Sequence, residues 1–254
     1  MMVLKTPDEL TVMDRANALV HETLRLVAEA AEPGASTKEL DRLAEEHIRA
    51  GGGRPAFKGY RGYPATLCTS VNDVIVHGIP SAEHLLREGD VLGLDCGVVL
   101  DGFVGDAAVT VPIGKILPAA KRLLKVTREC LELAVEVTRP GCRLTDIGAA
   151  IQKHAEAAGF SVVRELVGHG IGRSMHEDPQ VPNFVSAYRG PELKEGMTIA
   201  IEPMITAGGP EVYIHDDEWS ISTTDGSLAA HFEHTVAVTA AGPKILTETG
   251  VLVP

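Results

Sequence analysis

Val91 to Val99 reads VLGLDCGVV, a short β-branched apolar run of the kind that forms a well-buried strand, and Asp95 stands in its middle. Thr198 to Met204, TIAIEPM, has the same character and carries Glu202. A carboxylate is out of place in either run. Burying one unpaired and ionised costs several kcal/mol at least, and the chain offers few Lys or Arg nearby, so a metal ion is the expected partner. Asp106, His169 and Glu233 occupy comparable apolar or glycine-rich frames. Any one of these acids alone reads as a turn or cap residue. Together, four carboxylates and one imidazole suit two divalent metals.

The frame around them is duplicated. Glu22, Leu24, Leu26, Glu29, Pro33, Gly34, Ala50 and Gly52 meet Glu129, Leu131, Leu133, Glu136, Pro140, Gly141, Ala157 and Gly159 at a constant offset of 107. The same offset carries Glu88-Gly89 onto Glu195-Gly196 and Asp95 onto Glu202. After Glu202 an extra segment, Ile205 to His231, moves the register by 20 residues, so that Asp106 in DAAVTV meets Glu233 in EHTVAV. Such self-similarity signals a duplicated supersecondary unit. Two copies facing each other across a pseudo-twofold axis converge all four acids on one cleft, with His169 as the ligand outside the repeat.

With 254 residues and 44% hydrophobic content the chain can bury a substantial core, and no linker or low-complexity tract divides it. One domain is expected over residues 1–254, with internal halves at about 6–112 and 117–240. Met1 to Val20 lacks the apolar core of a signal peptide, and no run approaches the ~20 apolar residues of a membrane span, which predicts a cytoplasmic protein. Cys68, Cys96, Cys130 and Cys142 form no CxxC pair and fit reduced, mostly buried thiols. A net charge of -12 and the absence of a Lys/Arg cluster in the sequence argue against a nucleic-acid surface.

Thr6-Pro7-Asp8-Glu9 is a capping box with proline at the first helical position, opening a helix to about Ala31. Ser36-Thr37-Lys38-Glu39 opens a second. The second copy begins near Pro118, continues to about Thr138, breaks at Pro140-Gly141 and restarts from Leu144 to Ala158. Strands follow each helix pair. The expected class is α+β: a curved, mainly antiparallel sheet, four helices over its outer face, the acids on its concave face.

The segments SVNDVIVHGIP (Ser70 to Pro80), LDCGVVLDGFVGD (Leu94 to Asp106), GHGIGRSMHEDP (Gly168 to Pro179), IEPM (Ile201 to Met204) and EHTVAV (Glu233 to Val238), in this order and spacing, resemble type I methionine aminopeptidases. The resemblance covers nearly the whole chain and implies the pita-bread fold of that metallopeptidase group. It implies that Asp106 and Glu233 bridge two divalent ions, drawn from Co, Mn, Fe or Zn. Asp95 then chelates one ion, while His169 and Glu202 complete the other. Glu202 is also the implied general base, and His77 and His176 the two histidines flanking the substrate. The implied activity is removal of the N-terminal methionine from nascent proteins and peptides, with a small second residue preferred. The ribosome is a candidate partner; neither nucleic acid nor membrane binding is expected, and a monomer is.

Phe57, Tyr60, Tyr63, Cys68, Met175 and Trp219 match the family's methionine pocket, where aromatic and sulfur-bearing side chains suit a thioether. Core packing is the competing reading for each. His47, His154, His21, His84 and His215 read as solvent-face or loop residues. The glycines of Gly168-x-Gly170-x-Gly172 read as permitting close backbone approach to the metals. His231 stands where many family members carry glutamine, and Arg61 where histidine is common. No long insert lies between His169 and Glu202, and no zinc-finger extension precedes the domain, which favours the short bacterial-style form. Two other readings stay open: a proline-directed peptidase sharing the ligand set, and a non-catalytic peptide-binding relative.

Overall fold

A computed structural model describes residues 2–187 and 189–247, so the outermost positions of the expected 1–254 domain lie outside the described residues. In chain order the elements are α1 (Pro7–Ala30), α2 (Thr37–Ala50), β1 (Arg54–Pro55), β2 (Leu67–Val71), β3 (Val74–Val76), β4 (Val91–Leu100) and β5 (Phe103–Pro112). There follow α3 (Pro118–Glu136), α4 (Leu144–Ala157), β6 (Ser161–Val162), β7 (Gly168–Gly170), β8 (Glu177–Val181) and β9 (Thr198–Ile201). The chain continues with β10 (Met204–Thr206), β11 (Val212–Ile214), β12 (Ile221–Thr223), β13 (Ala229–His231), β14 (Glu233–Thr239) and β15 (Gly242–Ile245).

Local chemistry starts the helices where the sequence predicts. The Thr6 hydroxyl accepts from Glu9 N (3.3 Å) while the Glu9 carboxylate accepts from Thr6 N (3.0 Å), and Pro7 presets the first turn. Ser36 caps α2 through Glu39 N at 3.2 Å. The helices end at Ala30, Ala50, Glu136 and Ala157, within two residues of the predicted limits where these were given.

The main sheet runs β1-β4-β5-β14-β9-β7-β8, with β2 added to β4 and β15 to β14, and its pairings are antiparallel. β5 and β14 lie side by side at its centre, flanked by β4 and β9. The offset of 107 recurs in hydrogen bonding. Gly34 N donates to Leu86 O, and Gly141 N to Leu193 O; the bridge Ser36–Leu85 has its counterpart in Arg143–Glu192. Two helix pairs, α1–α2 and α3–α4, pack against this sheet. Leu94, Cys96, Val98, Val109, Val111, Ile199, Ile201 and Val236 bury against Leu24, Leu40, Ile48, Leu123, Ile147 and Ile151 in one apolar core. A full burial of each such side chain is worth about 1.5–3 kcal/mol, which makes this layer the main source of cohesion.

The extra segment after Glu202 builds β10 to β13. β10 and β13 form a small sheet with β6, while β12 pairs with β11 on one side and on the other with β3, far away in the first half. The four cysteines are free; Cys68, Cys96 and Cys130 are buried and Cys142 is half-buried. Among the described residues no helix is long and apolar enough to cross a membrane.

One histidine departs from expectation. His21 is buried at 4% exposure in α1, and its Nδ1 lies 3.0 Å from Thr247 O, because the segment following β15 folds back over that helix face. His47 and His154 are half-buried and face Glu22 (3.9 Å) and Glu129 (2.9 Å), again at matching places in the repeat.

Candidate metal centre

Strand register alone puts the five predicted ligands on one face of the sheet. Asp95 pairs across β4–β5 with Ala108, and Ala108 pairs across β5–β14 with Glu233, so these positions share a row. Asp106 lies two residues from Ala108 and faces the same way. In the next rows His169 pairs with Ala200, and Ala200 with Thr235, two residues from Glu233. Glu202 follows two residues after Ala200, just past the end of β9, where the Asn183 amide donates to its carbonyl (2.9 Å).

The resulting cluster is crowded with acids. Ligand atoms of Asp106, His169 and Glu233 lie within 4.8 Å of one another, and these residues are 3%, 8% and 3% exposed. Asp95 and Glu202 are half-buried on the same cavity wall. Asp95 Oδ1, Asp106 Oδ1 and Glu233 Oε1 are buried without a hydrogen-bond partner. Burial pushes the Asp95 carboxyl up to about 7. Burial first, then the neighbouring acids, raises Asp106, Glu202 and Glu233 well above the usual carboxylate range. No Lys or Arg neutralises them among the described residues.

His169 sharpens the point. Its Nδ1 donates to Gly170 O at 2.9 Å, which leaves Nε2 with a lone pair. That lone pair faces Glu202 Oε1 at 3.7 Å and Asp106 Oδ2 at 3.8 Å. Three electron-rich atoms aimed at one another repel unless a cation lies between them. Carboxylate oxygens plus one neutral imidazole form a donor set that suits a divalent ion, so the residues present fit a metal.

The cavity above the acids, about 220 Å³, is below the ~300–1,000 Å³ typical of drug-sized ligands and suits a single side chain. All thirteen predicted site residues line it: Phe57, Tyr60, Tyr63, Cys68, His77, Asp95, Asp106, His169, Met175, His176, Glu202, Trp219 and Glu233. Cys68 pairs in register with Asp95, which turns its side chain to the same side. Its lack of a role in the outer-face core follows from that register. Gly97 makes room: a Cβ there would lie 2.5 Å from Phe57 Cε1 and 2.9 Å from Met175 Cε. Tyr63 donates to Leu67 O (2.8 Å) and meets Trp219 edge-on, with centroids 5.1 Å apart. Trp219 comes from the extra segment and Tyr63 from the loop before β2, so the apolar wall joins parts distant in sequence.

His77 and His176 both line the cavity. His77 has φ 60°, a left-handed conformation, and the following Gly78 has no room for a side chain: its Cβ would lie 2.2 Å from Thr69 O. The tight turn projects the imidazole toward the cavity beside Trp219, centroids 6.4 Å apart. Burial pulls its pKa down to about 4, so it is neutral at pH 7. His176 is hydrogen-bonded through Nδ1 to the Tyr60 hydroxyl (2.8 Å) and packs on the His169 ring at 4.3 Å. Burial, then Arg61, lowers its pKa.

Arg61, Val76, Leu166, Val167 and Met204 also line the cavity. The last four escaped the sequence reading as pocket residues because plain apolar side chains beside a motif look like core. His231, noted only as a departure, is 3% exposed, and its partnerless Nε2 lies 3.6 Å from Glu202 Oε2. The glycines of Gly168-x-Gly170-x-Gly172 require a correction. A Cβ on Gly168 would meet Ala200 O at 2.3 Å, on Gly170 Asp178 O at 2.2 Å, and on Gly172 Lys5 Cε at 2.4 Å. They admit neighbouring strands and the Lys5 side chain, rather than bringing backbone to the acids.

Residues 11–240 match the model of metallopeptidase family M24. The methionine aminopeptidase of Clostridium acetobutylicum is 49% identical over 247 residues, covering 97% of this chain and 99% of that protein. Methionine aminopeptidase 1 of Bacillus subtilis is 47% identical with the same coverage. The crystal structure of methionine aminopeptidase from Thermotoga maritima superimposes with a TM-score of 0.96 at 44% identity, covering 98% of this chain and 100% of that one. A prolidase from Pyrococcus furiosus, at 23% identity and a TM-score of 0.79, shares the fold. The curved sheet with its four helices is thus the expected pita-bread architecture.

Proposed function

The chain belongs to metallopeptidase family M24, and from that membership we propose that it is a methionine aminopeptidase, removing the N-terminal methionine of peptides and new polypeptides. The observation that carries the reading is the convergence of four carboxylates and a lone-pair imidazole beneath a small cavity walled by aromatic and sulfur-bearing side chains. Asp95, Asp106, His169, Glu202 and Glu233 are the residues that would hold two divalent ions. Such ions would supply the Lewis acidity that makes water nucleophilic at neutral pH and polarises a peptide carbonyl.

The chain's own groups do the rest. Glu202, on the cavity wall, takes a proton from the attacking water and passes it to the leaving amine as the C–N bond breaks. His77 and His176, both with lowered pKa, hydrogen-bond the scissile amide and the oxygen that gains charge. Phe57, Tyr60, Tyr63, Cys68, Met175 and Trp219 enclose the methionine side chain, and its thioether gains from aromatic edges and sulfur. A small second residue is preferred, the enzyme works as a cytoplasmic monomer, and the ribosome is a candidate partner. The ions come from Co, Mn, Fe or Zn.

The test is methionine release from Met-Ala-Ser, with Ala-Pro peptides as controls, by chelated protein titrated with Mn, Co, Fe and Zn. Metal-dependent cleavage of the Met peptide alone is the expected result. Cleavage only before proline would assign the chain to the proline-directed relatives, and no cleavage despite metal binding to a non-catalytic one.

A further inference from the structure

A second cavity, about 490 Å³, lies between the end of β5, the start of α3 and Phe232, the residue before Glu233. Its floor is Pro112, Ile116, Leu124 and Phe232, and its walls carry Lys115, Lys121, Lys125 and Arg128. In a chain of net charge -12, four cations around one hollow are a marked local reversal. The sequence holds no Lys/Arg cluster, but the fold gathers one from the turn after β5 and one face of α3. Lys121, Lys125 and Arg128 share one face of α3 by their spacing of four and three, and Lys115 joins them from the turn before the helix.

The charges are largely unspent. Lys125 and Arg128 reach Glu129 and Glu132 only at 3.8 Å, along the helix. Lys115 and Lys121 are exposed and have no ion pair among the described residues. The first turn of α3 holds no acid and its cap position, Leu117, offers no side-chain acceptor, so the helix dipole adds to the positive field. Glu88 lies beside Gly114 at the rim but does not line the hollow. A floor of apolar side chains under a ring of ammonium and guanidinium groups matches a molecule with an apolar body and a multiply charged anionic end.

We propose that this second cavity binds a small organic phosphate, its phosphoryl groups held by Lys115, Lys121, Lys125 and Arg128 and its apolar body against Ile116, Leu124 and Phe232. The site adjoins the metal centre through one stretch of chain. Phe232, between His231 and Glu233 in the chain, lines the second cavity, and the Thr110 hydroxyl, which also lines it, bonds both N (2.9 Å) and O (2.8 Å) of His231.

Calorimetric titration of ATP and of inorganic tripolyphosphate into the metal-loaded full chain tests the assignment. Saturable binding tighter than about 1 mM is expected, stronger for ATP and weakened by salt. Lys115→Ala with Lys121→Ala is expected to weaken both ligands at least tenfold, while Lys153→Ala, on α4 and outside the cavity, leaves them unchanged. Chelation of the active-site ions is common to all variants, so equal binding by the double variant would overturn the site. Tripolyphosphate binding more tightly than ATP would overturn the role of the apolar floor. An oligoribonucleotide that binds with the same variant dependence, while ATP and tripolyphosphate do not, would overturn the small-ligand assignment.

Discussion

The two halves of the molecule share a frame and differ in what they hang on it. α2 and α4 are each 14 residues long, set 107 apart, and Leu40 and Ile147 fill equivalent core positions in them. β5 and β14 meet at the centre and present Asp106 and Glu233 side by side, while Asp95 and Glu202 occupy equivalent flanks. The walls of the cavity do not follow this symmetry. Gly97, in the first half, leaves space for Phe57 and Met175; its counterpart 107 residues on is Met204, which fills the wall itself. Trp219 and His231 come from the segment that the first half lacks. The duplicated frame concentrates charge on an axis, and the unduplicated pieces shape what lies over it.

The comparison is broken most severely at the axis. Asp106→Ala and Glu233→Ala are expected to lower kcat/KM by far more than the ~10–100-fold typical of residues that only support a ligand, and by similar factors. Steady-state assays with saturating metal decide this; near-normal turnover by either variant would end the equivalence. In the frame, Leu40→Ala and Ile147→Ala should each remove about 2–5 kcal/mol of stability. Both variants should unfold in a single transition by calorimetry, whereas two transitions would mean the halves are separate units.

A third expectation concerns pH. In the metal-free protein the four acids hold protons more tightly than in the unfolded chain, where Asp and Glu titrate near 4. Their contribution to stability is complete below about pH 4 and is lost as pH rises, through about 7 for Asp95. Cations need deprotonated ligands, so their stabilisation grows in the same direction. His77 and His231, held down to about 4 and about 3 by burial, lose stability as pH falls below 6.5, alike in both forms. The Tm gap between metal-loaded and chelated protein should therefore widen from about pH 5.5 to about pH 8, by differential scanning fluorimetry. Smallest is Gly97→Ala, whose Cβ displaces Phe57 and Met175; KM for methionyl peptides should rise about tenfold with kcat less affected, in line with ~1–3 kcal/mol for overpacking.

Much of this was legible in the chain because each ligand breaks a local rule. An acid in VLGLDCGVV or TIAIEPM conflicts with its own strand, and the capping residues Thr6 and Ser36 mark helix starts by chemistry that needs no tertiary context. The constant offset then tied the two sets of acids together. What escaped depends on pairings between distant segments. Nothing near Val74 announces β12 as its partner, and Lys115 joins α3's cations only through the turn at Gly114. His21 looked like a surface residue on an amphipathic helix until Thr247 covered it. From the sequence Gly168 and Gly170 read as admitting backbone to the metals, whereas the tight contacts at both come from carbonyls of the adjoining strands.

The central claim is that both halves hold the same pair of cations. A crystal structure of the manganese-loaded protein, with anomalous difference maps at the Mn edge, tests it directly. The account requires two peaks between β5 and β14, with Asp106 and Glu233 contacting both. A single peak held by the acids of one half, or peaks away from Asp106 and Glu233, would contradict it.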